Sequence, residues 1–186
     1  MAAQVIRSDD RRRVAWRNGA GTTEEVATGP DGPAGRPLWR ISVADLGSAP
    51  SEFSAFPGTD RVFTVIGEHG VDLDSDHGTQ SLDPWQPHPF AGENAPHCVP
   101  RGATRAFNVM TERGATTAAV GYFTLDTAFD TVADGVTVLY VRSGSVQAGT
   151  ARAEPGDCIL IRGEAITLRA SSATGLLVRI EPTSSL

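Results

Sequence analysis

The residues with the most chemical content lie in one stretch, Trp16-Arg17-Asn18-Gly19-Ala20-Gly21-Thr22-Thr23-Glu24-Glu25-Val26. Gly19 and Gly21 allow backbone shapes that other residues resist, and Thr22, Thr23 and Val26 favour extended structure. The stretch reads as a bend entering a strand, with Arg17, Asn18, Thr22, Thr23 and Glu24 converging on one place. A guanidinium grips a carboxylate through two parallel hydrogen bonds, and amide and hydroxyl groups complete its recognition. The chain contains no lysine, so every side-chain cation other than histidine is such a planar fork.

Three later segments carry partners for that chemistry. In 38–46 (LWRISVADL) the apolar positions alternate, so Trp39, Ile41 and Val43 share one face while Arg40 and Ser42 share the other. The run 61–66 (RVFTVI) is a strand that begins with Arg61. In 105–110 (RAFNVM), Phe107 and Val109 take one face and Asn108 and Met110 the opposite one, with Arg105 at the strand start. If these polar faces line one interior, arginine and amide groups meet in a concave site. A buried arginine then needs Glu24, Asp60 or an anionic ligand as its partner. Nucleophilic catalysis finds little support: there is no Gly-x-Ser-x-Gly elbow, and His97, which adjoins Cys98 in sequence, would point away from it on an extended chain.

The elements that position these residues are β-strands. Twenty glycines and twelve prolines punctuate short apolar runs, which is an all-β sandwich or barrel pattern, and helix is scarce. Strand, glycine turn and strand recur at 62–73 and again at 136–146, a weak internal repeat. The segment 84–100 holds five prolines and is expected to be a long ordered loop with Phe90 filling an apolar gap. A net charge of −6 argues against nucleic-acid binding. No apolar run approaches a membrane span or a signal-peptide core. With only two cysteines, far apart, a soluble cytoplasmic protein is expected.

Four blocks, Trp16-Arg17-Asn18-Gly19-x-Gly21-Thr22-Thr23-Glu24, Trp39-Arg40-Ile41-Ser42, Phe53-x-x-Phe56-Pro57-Gly58-x-Asp60-Arg61 and Asn108-Val109-Met110-Thr111-x-Arg113-Gly114, resemble the HutD/Ves family in order and spacing. Ala20 departs from the glycine that many relatives carry. The resemblance implies a bicupin, two small antiparallel β-barrels of the cupin (jelly-roll) type in one chain. Residues 1–124 would form an N-terminal barrel carrying the motifs and 125–186 a smaller C-terminal one. It also implies an association with histidine utilisation, and edge-strand pairing would give a homodimer.

A metal-dependent cupin needs two histidines one residue apart, a carboxylate and a third histidine on a later strand. His69, His77, His88 and His97 form no such pair, and no histidine follows the Glu154-Pro155-Gly156-Asp157 turn, so no metal or cofactor is expected. The expectation is a small-molecule binding protein, accessory or regulatory, that holds a small anionic metabolite. Its site would comprise Arg17, Asn18, Thr22, Thr23, Glu24, Arg40, Ser42, Arg61, Arg105, Asn108 and Met110. The alternatives are a metal-independent hydrolase or isomerase with Glu24 as general base, and a metal-dependent dioxygenase or isomerase.

Overall fold

The computed structural model of the protein describes residues 3–16, 21–33, 35–76, 78–131 and 134–183. Among them the regular elements are strands alone. In the first part these are β1 (Ala3–Ile6), β2 (Arg13–Ala15), β3 (Thr22–Thr28), β4 (Trp39–Gly47), β5 (Ser51–Glu52), β6 (Thr59–Val65), β7 (Val71–Ser75), β8 (Gly78–Leu82), β9 (His88–Ala91), β10 (His97–Pro100) and β11 (Thr104–Glu112). There follow β12 (Thr116–Leu125), β13 (Ala128–Asp130), β14 (Val136–Ser143), β15 (Val146–Ala148), β16 (Ala151–Ala153), β17 (Cys158–Arg162), β18 (Thr167–Ala170) and β19 (Ala173–Pro182). No described sheet closes into a barrel. The chain divides into two compact units, one of residues 12–117 and the other of residues 1–11 together with 118–186.

In the unit of residues 12–117, a six-stranded sheet in the order β2-β3-β4-β11-β6-β9 faces a four-stranded sheet in the order β5-β10-β7-β8. Its pairings are antiparallel. Between the sheets, Ala44, Leu46, Phe63, Val65 and Ala106 of the first meet Val71, Leu73, Leu82 and Cys98 of the second, with Phe53 filling in from the connection after β5. The core forms because alternate positions of β4, β6 and β11 are apolar on this side; register places Ala106 opposite both Ala44 and Val65.

The other unit pairs a five-stranded sheet, β1-β17-β14-β19-β12, with a four-stranded one, β13-β18-β15-β16. Leu139, Val141, Ile159, Ile161 and Ala173 pack there against Val146, Ala148, Ala153 and Leu168. Strand β1 pairs antiparallel with β17, Ala3 opposite Ile161 and Ile6 opposite Cys158, so the opening segment groups with the later strands rather than with the motif-bearing ones. Buried Asp157 fastens it. Its carboxylate accepts from Arg7 Nη1 at 2.7 Å and from the Ser8 and Glu154 amides at 3.0 Å, while Arg11 Nη2 donates to the Gly156 carbonyl at 2.5 Å. Burial pushes the Asp157 carboxyl up, but these hydrogen bonds outweigh it and hold the group below the usual aspartate range.

The proline-rich segment 84–100 is not a loop throughout: it contains β9 and β10. Proline 89 is tolerated because β9 is the edge strand of its sheet, and Pro100 is the last residue of β10.

Candidate functional site

The interior of the 12–117 sandwich changes character along its strands. Towards one end the six-stranded sheet presents Leu46, Ala44, Phe63, Val65 and Ala106. Two residues further along the same faces it presents Ser42 and Arg40 on β4, Asn108 and Met110 on β11, and Arg61 on β6. Asn108 lies opposite Ser42 and Phe63, and Met110 opposite Arg40 and Arg61. A cavity of about 420 Å³ opens there, lined by these residues together with Thr23, Val14, Ala15 and Trp16 from the β2–β3 hairpin and Glu52, Phe53, Ser54 and Phe56 from the strap after β5. The volume suits a small organic ligand.

At its floor, Arg61 is 9% exposed. Its guanidinium carbon lies 4.4 Å from the Phe53 ring centre, 5.3 Å from that of Phe90 and 5.8 Å from that of Phe63. Its hydrogen bonds run from Nε at 3.0 Å and Nη2 at 2.6 Å, both to Asn108 Oδ1. No carboxylate forms an ion pair with Arg61 among the described residues, and Nη1 has no hydrogen-bond partner there. Aromatic faces stabilise a desolvated cation by about 0.5–2 kcal/mol, which does not replace a counter-ion. Burial accordingly holds the guanidinium down to about 10, and the Arg40 charge adds to that shift. Arg61 therefore stays charged at neutral pH. The neighbouring Cys98 thiol is pushed up to about 12 by burial and stays protonated.

The same geometry sets the Asn108 amide. Because Oδ1 takes both bonds from Arg61, Nδ2 is turned away from it, a donor on the cavity wall. Ser42, 5% exposed, lines the wall beside it, and its hydroxyl is not engaged by any described group. Arg61 Nη1, Asn108 Nδ2 and the Ser42 hydroxyl make a floor rich in donors.

Of the residues singled out from sequence, Thr23, Arg40, Ser42, Arg61, Asn108 and Met110 line the cavity. Thr23 Oγ1 accepts from Trp16 Nε1 at 2.7 Å, which fixes the indole. The indole packs close to Gly21, where a Cβ would meet the Asp45 carbonyl and crowd the ring. Thr22, Glu24 and Arg105 are not among the lining residues. Strand β3 alternates, so Thr23 faces the cavity side with Ala44 while Thr22 and Glu24 pair with Asp45 and Val43 on the other. Glu24 is buried there and accepts from Arg13 Nε at 2.7 Å and Arg105 Nη2 at 3.0 Å. It is not positioned to act as a base on anything in the cavity. Arg17 and Asn18 lie outside the described residues. The sequence reading expected Phe90 to fill an apolar gap, and it packs against this core and beside Arg61; it missed Glu52 and the part played by Phe53 and Phe56, for which the Phe53-x-x-Phe56 spacing was the available signal.

A clasp closes the end of the sheet next to Arg61. The row Met110–Arg61–Phe90 lies two pairs from the end of the β11–β6 ladder. Beyond it Arg113 donates to Asp60 Oδ1 at 2.8 Å, to the Thr59 carbonyl at 2.8 Å and, with two nitrogens, to Glu93 at 2.7 and 2.9 Å. Glu93 also accepts from the Gly58 amide, in a turn where Gly58 has φ +75°. The Arg113 hydrogen bond, helped by backbone amides, draws Glu93 down to about 2, and Glu93 and Asp60 in turn raise Arg113. The motif residues Asp60 and Arg113 thus join the strands around Arg61 instead of lining the cavity.

The metal chemistry common among cupins does not fit these residues. No group of three or more His, Cys, Asp or Glu could hold a metal ion among the described residues. Among the described residues the cavity lining contains one carboxylate, Glu52, and no imidazole or thiol.

The all-β body of antiparallel sheets has a cupin-like fold: a cupin 2 conserved barrel domain protein from Leptotrichia buccalis aligns at TM-score 0.61 and 8% identity over 91% of this chain and 92% of its own, a likeness of fold alone. The HutD family pattern matches residues 8–178, and the chain belongs to the HutD/Ves family. It is 36% identical over 138 residues to protein Ves of Citrobacter koseri, covering 72% of this chain and 70% of the relative. It is 35% identical over 113 residues to an uncharacterized 21.2 kDa protein in the hutC 3′ region of Pseudomonas putida, covering 58% of this chain and just over half, 57%, of the relative. The structure of HutD from Pseudomonas fluorescens SBW25 aligns at TM-score 0.86 with 26% identity, over 98% of this chain and all of that one. No described helix is long and apolar enough to cross a membrane.

Proposed function

We propose that this protein binds a small carboxylate in the cavity of residues 12–117, as an accessory or regulatory component of histidine utilisation and without a bound metal. The observation that carries the reading is Arg61: a buried cation without a carboxylate partner among the described residues, presented with Asn108 Nδ2 and Ser42 on a floor rich in donors. Isolated buried charge is costly, and an anion arriving at Nη1 removes that cost while gaining charge-assisted hydrogen bonds. The likeness to a protein in the hutC 3′ region supports the link to histidine breakdown, whose intermediates include small acids. In the same reading the two sandwiches are the two cupin-type halves of a bicupin. Both cysteines are free and buried, which suits a cytoplasmic protein.

Calorimetric titration with urocanate, N-substituted glutamates and simple carboxylates tests the reading. Saturable binding that Arg61→Met abolishes is the expected result. Absence of heat for every acid at millimolar concentration, at two temperatures, overturns it.

A further inference from the structure

Three residues of the opening motif, Trp16, Gly21 and Thr23, share one task that the cavity floor does not explain: they hold an indole. The Trp16 amide donates to the Gly21 carbonyl at 2.9 Å, which ties the end of β2 to the start of β3. Trp16 Nε1 donates to Thr23 Oγ1 at 2.7 Å. A Cβ on Gly21 would overlap the Asp45 carbonyl oxygen and lie 3.1 Å from the indole carbons Cε3 and Cζ3, so only bare backbone fits between the ring and β4. The ring packs partly on the core of the sandwich and lines the cavity. A side chain anchored in this way is ordered before a ligand arrives, so contact with it costs little further entropy.

The ladder places this wall far from the floor. Thr23 lies opposite Ala44, Ala44 opposite Ala106, and Ala106 opposite Val65 of β6, the strand that carries Arg61. Strands β3 and β6 are therefore three strand spacings apart, about 14 Å. An acid as short as acetate, held at Arg61, does not span that distance, whereas a longer one reaches towards the indole. Flat π-systems gain from offset stacking on an indole beyond what burial of the same area supplies.

We infer that Trp16 is a specificity residue: it reads the far end of an acid held at Arg61 and favours a flat, unsaturated body such as an aryl or heteroaryl group. Gly21 and Thr23 act through it as positioning residues. This rests on the reading of the cavity as a carboxylate site and specifies what the rest of the ligand is.

Calorimetric titration with acetate, cinnamate and 3-cyclohexylpropanoate tests it. Cinnamate is expected to bind the wild-type protein at least about tenfold more tightly than acetate, from the added apolar contact. It is also expected to bind at least about threefold more tightly than the puckered 3-cyclohexylpropanoate, from stacking. Trp16→Leu should remove most of the cinnamate advantage and leave acetate affinity unchanged. Trp16→Phe, which keeps a flat ring, should retain most of it, and Thr23→Val, which frees the indole, should give an intermediate loss. Equal loss of acetate and cinnamate in Trp16→Leu, or in Thr23→Val should the first variant fail to fold, makes the indole structural and overturns the inference. So does a wild-type protein that binds cinnamate no more tightly than 3-cyclohexylpropanoate; both outcomes leave a carboxylate site in place. If the wild-type protein binds none of these acids and the acids of histidine breakdown fail as well, the underlying reading falls and the inference with it.

Discussion

Along β14 the inward residues Leu139 and Val141 meet Ile159, Ile161, Val146 and Leu168, and the interior is filled by aliphatic side chains. Along β4 the inward side passes from Leu46 and Ala44 to Ser42 and Arg40, and the interior changes from packed core to cavity within four residues. Both units are paired antiparallel sheets, so the difference lies in side chains. A sandwich with alternating apolar residues on its inner faces closes on itself; substituting guanidinium, amide and hydroxyl at one end of the same faces prevents that closure. The cavity here comes with incomplete packing, whereas the inner faces of the other unit are filled, among the described residues, by aliphatic side chains.

The contrast can be broken by truncation. Ile159→Ala, in the filled interior, is expected to lower unfolding free energy by about 3–4 kcal/mol, because a cavity is created in packed surroundings. Met110→Ala, beside space that already exists, is expected to cost under about 1 kcal/mol. Urea denaturation of both variants measures the pair, and equal losses would show that the two interiors are packed alike.

The next effect is on Arg61. Arg61→Met is expected to weaken carboxylate binding by about 100-fold or more, since a charge-assisted contact is lost. It is also expected to raise the melting temperature, with a gain on the order of 1 kcal/mol, because an uncompensated buried charge is replaced by an apolar chain. Calorimetric titration and a thermal scan of the same sample check both halves. A variant that binds poorly and also melts lower would place Arg61 among the structural residues.

The smallest effects concern the clasp. Arg113→Gln is expected to lower stability only slightly, as exposed ion pairs contribute little singly and more as a network. Glu93 has a folded pKa of about 2 against an ordinary value of 4.5, so its contribution is present above the higher value and is lost as pH falls towards the lower. Asp157 acts in the same direction in the other unit. Stability measured from pH 5 to pH 2 should decline, and Glu93→Gln should flatten part of that decline; an unchanged slope would remove Glu93 from the account.

How much of this could be read from the sequence depends on strand period. The alternation in 38–46 and 105–110 put Arg40 with Ser42 and Asn108 with Met110, and those pairs do share the cavity face. The same rule limits the opening stretch. Consecutive residues on a strand cannot all face one cavity, so Thr23 is turned inward while Thr22 and Glu24 are turned to the other side. Long-range partners left no local mark. Nothing near Glu24 announces Arg105, which is 81 residues away, and nothing near Arg61 announces that Phe90 will cover it. Segment 84–100 misled because prolines suggest loops, whereas an edge strand accepts one.

The Asp157 latch bears on how the chain is made. Strand β1 is translated well before its partner β17 and the carboxylate that fastens Arg7, which lie some 150 residues later. Residues 12–117 can complete their own sandwich while β1 stays unpaired, because none of β1's strand partners lies in that span. Strand β1 therefore waits for a partner that emerges some 150 residues after it, and until β17 arrives Val5 and Ile6 need shielding.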